Sequence, residues 1–376
     1  MNSNSSSAQT IPSGCDITIQ IVGRLHQPSP PVQAILIFIL IIHILTFPFT
    51  AVLNALVMVA VKVESRLRAH KSNILLALLA STDFMVGIIF QPALIALIIT
   101  FLLDGASSGV CALQAFVMAV GNFLIVASLI HLVLISIERY LAMKHPFAYI
   151  TLVTEVRLLF ASALAWLMSL ILYILVRFVD KTVFLPIHTT LVFLCIAFVV
   201  FCHIAVYRET RRHEQQIAAQ QVTQEAREQF ENNKKACKLT SIIIVVLILC
   251  FIPAFFVRSV LVRHRSEISL ETTYVFYLLA VSIVSWNSLL NPIIYAVRIR
   301  NFRIAFIKLT CRTVNFAEAE EIEMRIFGAP NAVVPFETGQ DQRNVEQTNM
   351  NNSDCRNNDS LPQTNSNHLP CIMPSS

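Results

Sequence analysis

Long apolar stretches, separated by short polar segments, dominate the pattern of the chain. Seven such stretches lie near 34–61, 74–101, 112–137, 156–178, 186–207, 239–262 and 272–296. A helix that crosses a bilayer needs about 20 mostly apolar residues, and each stretch meets that length. The pattern therefore predicts an all-α membrane protein with a seven-transmembrane helix bundle over residues 34–297.

The segments outside the predicted bundle are polar. Residues 1–33 lack the basic and then apolar order of a cleavable signal peptide. Asn4 begins a glycosylation acceptor tripeptide, which is usable only outside the cell. From residue 312 the chain is rich in Asn, Ser and Glu without apolar periodicity, which predicts a disordered tail over 312–376.

Composition and charge distribution support the membrane assignment and orient the chain. The sequence is 55% hydrophobic and 14% charged, against roughly 25% charged in a soluble domain. The nine cysteines form no CxxC pair and no zinc-type spacing with histidine. With the N-terminus outside, 22 of the 28 Lys and Arg residues fall on the inner side, where basic residues accumulate. We therefore expect an extracellular segment over 1–33 and a cytoplasmic tail.

One carboxylate stands inside an otherwise apolar span. Asp83 lies in the run 76–92, and an ionisable side chain in hydrocarbon is costly enough to be a functional candidate. The alternative is a protonated Asp83 that merely forms hydrogen bonds between helices. Either interpretation requires partners inside the bundle, for which the chain offers Asn54, Ser128, Asn287 and Asn291.

The inner boundary of the third span and two prolines supply further candidates. The sequence Glu138-Arg139-Tyr140 contains an acid and a base that can neutralise each other or separate, although a charged helix end is usually a solvated cap. Proline removes a helical hydrogen bond and introduces a kink. The sixth span contains Pro253, two residues after Phe251, and the seventh contains Pro292, between Asn291 and Tyr295. Each proline therefore predicts either a hinge or a static packing feature in its span.

These features, in this order, resemble the rhodopsin-like (class A) G-protein-coupled receptors over about residues 34–311. The matching positions are Asn54, Asp83, Glu138-Arg139-Tyr140, Trp166, Pro253 and the NPxxY sequence Asn291-Pro292 to Tyr295. The resemblance implies an amphipathic eighth helix over 298–311, with Phe302, Phe306 and Ile307 toward lipid and Cys311 as a palmitoylation site.

The resemblance also implies a signalling mechanism. Ligand binding in the outer half would favour an outward swing of the sixth helix, and Arg139 would then receive a heterotrimeric G protein. The basic residues Arg211, Arg212, Lys234 and Lys235 would border that cavity. Asp83, Ser128, Asn287 and Asn291 would hold an allosteric sodium ion, and no other cofactor is expected. The tail residues that would be phosphorylated to recruit an arrestin-like partner are Thr348, Ser353, Ser360, Thr364 and Ser366.

Several positions depart from the family pattern and bear on the ligand. In the family, a disulfide joins the top of the third helix to the second outer loop. The corresponding loop here, near 178–185, contains no cysteine, so this disulfide cannot form. A disulfide between Cys15 and Cys111 is our hypothesis for its replacement. Cys195 and His203 replace the fifth-helix Pro and Tyr, and Phe251 replaces the sixth-helix Trp. These absences are similar to those in the melanocortin, cannabinoid, lysophospholipid and adenosine receptors.

The same comparison of positions argues against two ligand classes. Residues 272–297 contain no lysine for a retinal Schiff base, and Ser285 stands at that place. Gly121 stands where amine receptors carry a counter-ion Asp. A mostly apolar ligand pocket is expected, with a few polar residues that could contact the ligand. The alternative is that these residues form ordinary hydrogen bonds between helices. These candidates are Gln91, Gln114, Asn122, His188 and Tyr277.

The sequence therefore predicts a plasma-membrane receptor for an extracellular ligand. It is not expected to be an enzyme. Membrane lipid is expected among its partners, and nucleic acid is not. A seven-helix binding protein that does not signal is the second hypothesis. A transporter or channel is the third. It is disfavoured because the chain shows no internal repeat and an odd number of spans.

Overall fold

The computed structural model of the protein describes residues 29–104, 108–178, 181–219, 223–263, 270–311 and 314–327. Every regular element in these ranges is helical. Residues 1–326 form one compact unit, and of a second unit, 327–376, only Phe327 is described. Asn4, Cys15 and the predicted phosphorylation sites of the tail lie outside the described residues.

Seven helical segments in the described ranges are long and apolar enough to cross a membrane. Each corresponds to one of the predicted stretches, so the prediction of a seven-helix membrane bundle is confirmed. The second span consists of two helices joined by a π-helical turn over Val86–Phe90. The helices are α1 (Pro30–Val63, first span), α2 (Ser65–Arg68), α3 (Lys71–Met85) and α4 (Gln91–Asp104, second span with α3), α5 (Ser108–Lys144, third span), α6 (Pro146–Leu152), α7 (Glu155–Phe178, fourth span), α8 (Lys181–Ala219, fifth span), α9 (Gln224–Arg263, sixth span), α10 (Leu270–Arg298, seventh span), α11 (Arg300–Thr310) and α12 (Phe316–Phe327).

The distribution of side chains is that of a membrane bundle. Large apolar side chains such as Phe38, Phe160 and Leu249 are exposed on the outer surface of the bundle, where lipid tails would surround them. Asp83 and Asn291 are fully buried. In a bilayer the bundle interior is the place where polar side chains find hydrogen-bonding partners, so this arrangement follows from the environment.

Two apolar clusters frame the buried polar residues. One cluster, containing Leu79 and Leu132, fills the inner half, and the other, containing Phe90 and Leu124, fills the outer half. Along the second span, Asp83 lies between Leu79 and Phe90, at the junction of the two clusters. The fold thus isolates this carboxylate from bulk water on both sides.

The second span approaches the first span closely beside Asp83. A Cβ atom on Gly87 would lie 2.7 Å from the backbone nitrogen of Ala51, which is closer than side-chain atoms approach. The π-helical turn that contains Gly87 also precedes Pro92, whose ring cannot donate a backbone hydrogen bond. A small residue here lets the two helices pack backbone to backbone, as is common in membrane bundles.

The eighth helix is confirmed as an element, but one part of its predicted orientation is wrong. Helix α11 runs over Arg300–Thr310, within the predicted 298–311. Phe302 was expected to face lipid, yet it is fully buried, and its ring lies 6.0 Å from the ring of Tyr295. Phe306 is half-buried, with its ring 5.9 Å from that of Phe302. The seventh span ends directly above α11 and covers these aromatic rings.

The prediction of a disordered tail from residue 312 is wrong for residues 316–327, which form α12. The helix begins with a reciprocal pair of hydrogen bonds. The Glu318 backbone N–H donates to Asn315 Oδ1 at 2.9 Å, and the Asn315 N–H donates to a Glu318 carboxylate oxygen at 3.1 Å. This is a capping box, and it satisfies two backbone donors at the helix start.

Candidate functional site

The intramembrane carboxylate contacts the seventh span directly. Asn291 Nδ2 donates to Asp83 Oδ2 at 2.8 Å, and both residues are fully buried. The two side chains come from positions 208 residues apart in the chain. The structure thus joins the second span to the seventh at the polar pair that the sequence singled out.

The first span completes this polar core through a backbone carbonyl that Pro292 leaves free. Because proline has no N–H, the carbonyl of Ser288, four residues earlier, loses its helical partner. Asn54 Nδ2 donates to that oxygen at 2.9 Å, and also to Thr50 O at 2.9 Å. Neighbouring side chains satisfy freed carbonyls in this way when proline occurs in membrane helices.

Several acceptor oxygens of the polar core receive no hydrogen bond within the described residues. Among the described residues, the carboxylate and asparagine oxygens of this core without a hydrogen-bonding partner are Asn54 Oδ1, Asp83 Oδ1, Asn287 Oδ1 and Asn291 Oδ1. Hard cations prefer oxygen ligands of this kind. These oxygens could therefore serve as ligands of a small cation, and the Asp83 carboxylate would supply the negative charge.

A small cavity adjoins this core. It measures about 30 Å³, and roughly 10–15 Å³ is enough to hold one water molecule. Ser128, Asn287 and Phe251 are among its lining residues. Of the four predicted ion ligands, Asp83 and Asn291 contact each other directly, whereas Ser128 and Asn287 are brought together at the cavity.

At the inner end of the third span, Arg139 is folded back onto its neighbour. Its Nε and Nη2 atoms donate to the two carboxylate oxygens of Glu138, and both side chains are buried. A bidentate pair of this kind is strong and directional. This pairing commits the Arg139 guanidinium to the adjacent residue of its own helix.

Sequence reasoning missed a third member of this group, Tyr149 on α6. Its hydroxyl donates to Glu138 Oε1 at 2.8 Å. Burial, followed by the negative charge of Glu138, raises the pKa of Tyr149, so the hydroxyl remains a donor at neutral pH. Tyr149 lies 11 residues after Glu138 on a separate short helix, and the residue spacing alone carried no sign of this contact.

The inner ends of the third, fifth and sixth spans meet in an apolar layer. Met143, Val206 and Cys237 form a buried cluster there. A polar contact ties the fifth and sixth spans together below it, because Lys234 Nζ lies 2.6 Å from a carboxylate oxygen of Glu214. Of the predicted cavity-lining bases, Lys234 is therefore engaged in an ion pair. Arg212 lies 3.9 Å from Glu209, Arg211 donates to the Tyr207 hydroxyl at 3.1 Å, and Lys235 is exposed.

The predicted ligand-pocket residues are dispersed among helix–helix contacts. Gln91 is fully buried and its Nε2 lies 3.4 Å from Thr46 Oγ1 of the first span. The Tyr277 hydroxyl donates to the sulfur of Met118. Gln114 is buried and Asn122 half-buried. None of these four residues lines the cavity near Asp83, and none lines the groove that Phe116 of the third span and Leu170 of the fourth span border. The side chain of His188 lies outside the described part.

The two predicted cysteine modifications have different outcomes. Cys111 is disulfide-bonded, but the predicted partner, Cys15, lies outside the described residues, so the pairing stays a prediction. Cys311 is a free and exposed thiol directly after α11. It is accessible in the way that the predicted palmitoylation requires.

Two buried histidines also join spans, and sequence analysis did not single out either contact. His43 Nε2 lies 2.9 Å from the Ser282 hydroxyl, which links the first and seventh spans. His131 Nε2 lies 2.8 Å from Ser162 Oγ, which links the third and fourth spans beside Trp166. Neither side chain faces a described cavity, so we interpret both as structural contacts.

Comparison with known families assigns the arrangement to a class. The profile described as "7 transmembrane receptor (rhodopsin family)" matches residues 53–186 and 177–295. The chain belongs to the rhodopsin family of seven-transmembrane receptors. The matched region contains the Asp83–Asn291 pair, the Glu138–Arg139 pair and Pro253.

The receptor is similar at low identity to several curated members of this family. It is 26% identical to adenosine receptor A2b of Gallus gallus over 70% of this chain and 86% of that protein. It is 26% identical to galanin receptor 2b of Danio rerio over 86% of each chain. It is 25% identical to cannabinoid receptor 2 of Mus musculus over 68% of this chain and 76% of that protein. The receptor is therefore a multi-pass membrane protein of the G-protein-coupled class, and adenosine and cannabinoid receptors are among its relatives, as the sequence comparison predicted.

Proposed function

We propose that the receptor transmits binding of an extracellular ligand to a heterotrimeric G protein by opening the inner end of its bundle. The observation that carries this proposal is the buried Glu138–Arg139 pair beneath Tyr149. A buried ion pair is a weak source of stability but a good switch element, because separating its partners has large electrostatic consequences. This pair is closed in the structure.

Release of Arg139 is the central step of the proposed mechanism. When the inner ends of the spans separate, the guanidinium leaves Glu138 and points into the opened cavity. There it donates to backbone carbonyls at the C-terminus of an entering helix, which carries partial negative charge. Such an opening has to separate the apolar layer of Met143, Val206 and Cys237. The Lys234–Glu214 ion pair favours a joint outward movement of the sixth and fifth helices.

Transmission from the outer half follows the contacts around Phe251. This side chain lines the small cavity with Ser128 and Asn287, and Asn287 precedes Asn291 by about one helical turn in the seventh span. Asn291 belongs to the same helical segment as Tyr295, whose ring packs on Phe302 of α11. A shift of the sixth helix at Phe251 therefore changes the packing of the polar core. The ligand needs a higher affinity for the open state to drive this change.

We further propose that the polar core binds a sodium ion in the closed state. The unpaired oxygens of Asp83, Asn287 and Asn291 support this assignment, and Ser128 borders the same cavity. A bound cation would supply the positive charge that the acceptor-rich site lacks. Closure of the cavity holds these oxygens together, whereas opening of the bundle separates the second and seventh spans.

The remaining assignments follow from orientation and composition. We propose a plasma-membrane location with the N-terminus outside, glycosylation at Asn4 and palmitoylation at Cys311. The ligand is proposed to be neither retinal nor a biogenic amine, because Ser285 and Gly121 occupy the positions that those ligands require. Arrestin-like proteins would bind the phosphorylated tail.

The proposal is tested by a ligand-library screen in cells that express the receptor with a promiscuous G protein and second-messenger reporters. A hit should lose its response in Arg139→Ala at equal surface expression. Arg325→Ala is the matched control, because within the described part of the chain that exposed arginine pairs only with Glu321 in the same helix, and its loss should leave the response unchanged. An undiminished response in Arg139→Ala would refute the coupling role.

A further inference from the structure

The acidic helix α12 lies against basic side chains of α11 and of the first inner turn. Arg300 contacts Glu320 and Glu323, each at 2.9 Å, and Arg303 contacts Glu323 at 2.6 Å. Phe316, at the start of α12, lies under the guanidinium of Arg66, which is 4.3 Å from the centre of its ring. The start and the middle of α12 are therefore held by three arginines that belong to two different elements.

Glu323 is the centre of this contact. Its side chain is 1% exposed, although it carries a carboxylate in a segment whose composition resembles a disordered tail. Burial alone would raise the pKa of this carboxyl, but the hydrogen bonds from Arg303 and Arg300 outweigh that effect and lower it. Ala319 is also fully buried in the interface, so α12 is seated on this surface as an ordered element.

The charges of the two surfaces are complementary. Helix α12 contains four glutamates and one arginine, and that arginine pairs with Glu321 on the exposed side. The surface beneath it presents Arg66, Arg300 and Arg303. An acidic helix on a basic surface acts as a competitor for any anionic group that the same surface would bind.

The three arginines lie at the depth of lipid headgroups. Arg300 follows the inner end of the seventh span by two residues, and Arg66 follows the inner end of the first span by three. Helix α11, which carries two of them, is followed at once by the exposed Cys311. Basic residues in such juxtamembrane positions attract anionic lipids of the inner leaflet. A soluble protein partner would have to reach into the headgroup layer to contact them.

We propose that Arg66, Arg300 and Arg303 form a binding site for the phosphorylated headgroup of an anionic membrane lipid, and that α12 occupies this site in its absence. Arginine suits this role because its planar group binds phosphate oxygens in pairs. Lipid binding displaces Glu320 and Glu323 and releases α12 from the receptor surface.

Hydrogen exchange of the full-length receptor in nanodiscs tests this proposal. The backbone amides of residues 316–327 should exchange slowly in discs of phosphatidylcholine alone. In discs that also contain phosphatidylinositol bisphosphate, their exchange should accelerate by roughly tenfold or more, about 1.4 kcal/mol of lost protection per factor of ten. Because both leaflets of a nanodisc have the same composition, the result does not depend on the orientation proposed above.

Two matched variants separate the ion pairs from general effects. Glu323→Gln removes the buried charge and should accelerate exchange of α12 in phosphatidylcholine discs by a similar factor. Glu321→Gln makes the same chemical change at an exposed glutamate of the same helix that pairs with Arg325, and it should leave exchange nearly unchanged. Both substitutions lie outside the seven spans, so folding of the bundle should be preserved.

Three results would overturn the proposal. The first is equal protection of α12 in both kinds of disc. The second is the same acceleration by soluble inositol trisphosphate at an equal amount of headgroup, which would assign the site to a free phosphate. The third is release of α12 by a purified G protein in phosphatidylcholine discs with no effect of the anionic lipid, which would assign the surface to a protein partner.

Discussion

Removal of one hydroxyl group, in Tyr149→Phe, should raise the activity of the receptor without ligand. Glu138 accepts three hydrogen bonds in the closed state, two from Arg139 and one from Tyr149 at 2.8 Å. The substitution deletes the third bond and retains the aromatic ring. The closed pair then loses a donor that helps to hold Glu138 in place, and separation of Arg139 becomes easier.

The size of the effect follows from the environment of this hydrogen bond. A hydrogen bond to a charged group contributes about 1.5–3 kcal/mol, and the lower end applies because Tyr149 is half-buried. Water can replace part of the lost interaction in the variant, which reduces the expected change to roughly 1 kcal/mol. Because 1.4 kcal/mol corresponds to about a factor of ten, the open population should rise about fivefold while the closed state predominates.

The assay is ligand-free nucleotide exchange on a G protein by the purified receptor in lipid vesicles. Tyr207→Phe is the matched control, because the Tyr207 hydroxyl is exposed and, as far as the structure describes the chain, accepts a hydrogen bond only from Arg211 one turn away on the same helix. Basal exchange in Tyr149→Phe equal to that of the control would show that α6 does not restrain the switch. A decrease would mean that Tyr149 stabilises the open state instead.

Three further substitutions test the polar core and the packing around it. Asp83→Asn should abolish any sodium dependence of ligand affinity, since it removes the only charge of the site, and a retained dependence in binding assays would exclude the ion from it. Asn54→Ala leaves the Ser288 carbonyl without its 2.9 Å donor and should lower stability by about 1–2 kcal/mol, seen as a lower unfolding temperature in detergent; an unchanged temperature would mean that water replaces the amide. Gly87→Ala places a methyl group 2.7 Å from the Ala51 nitrogen and should force the first and second spans apart, with a loss of stability of at least about 1–3 kcal/mol; a wild-type melting curve would contradict this close approach.

The parts of the structure that the sequence predicted well depend on local composition or on spacing along one helix. The seven spans follow from apolar length alone, since backbone groups in lipid must be satisfied within the segment. The pairing of Asp83 with Asn291 was predictable because a carboxylate in hydrocarbon needs a partner and few polar groups are available there. In both cases the bilayer restricts the alternatives.

The parts that were missed depend on contacts between separate elements. Tyr149 lies on a short helix whose position relative to Glu138 is set by the turn at His145 and Pro146, and a tyrosine there carries no periodic signal. Phe302 was assigned to lipid because α11 is amphipathic, but the seventh span covers part of that apolar face. These positions are decided by packing, which a one-dimensional pattern does not contain.

Helix α12 could have been found from a local signal. Asn315 followed three residues later by Glu318 is a capping sequence, and it precedes a run with four glutamates spaced on two faces. The acidic composition favoured disorder in the isolated segment. The arginines of α11 and of the first inner turn neutralise that charge, and only the folded receptor brings them together.

The distance between the inner ends of the second and sixth spans tests the central claim most directly. Spin labels on cysteines introduced at the exposed positions His70 and Lys238 report this distance in vesicles, in a receptor whose Cys311, Cys355 and Cys371 are replaced by serine. We predict that binding of a nucleotide-free G protein shifts the distribution to longer distances, and that the shift is lost in Arg139→Ala. An unchanged distribution in a receptor that demonstrably binds and activates the G protein would contradict the opening of the bundle.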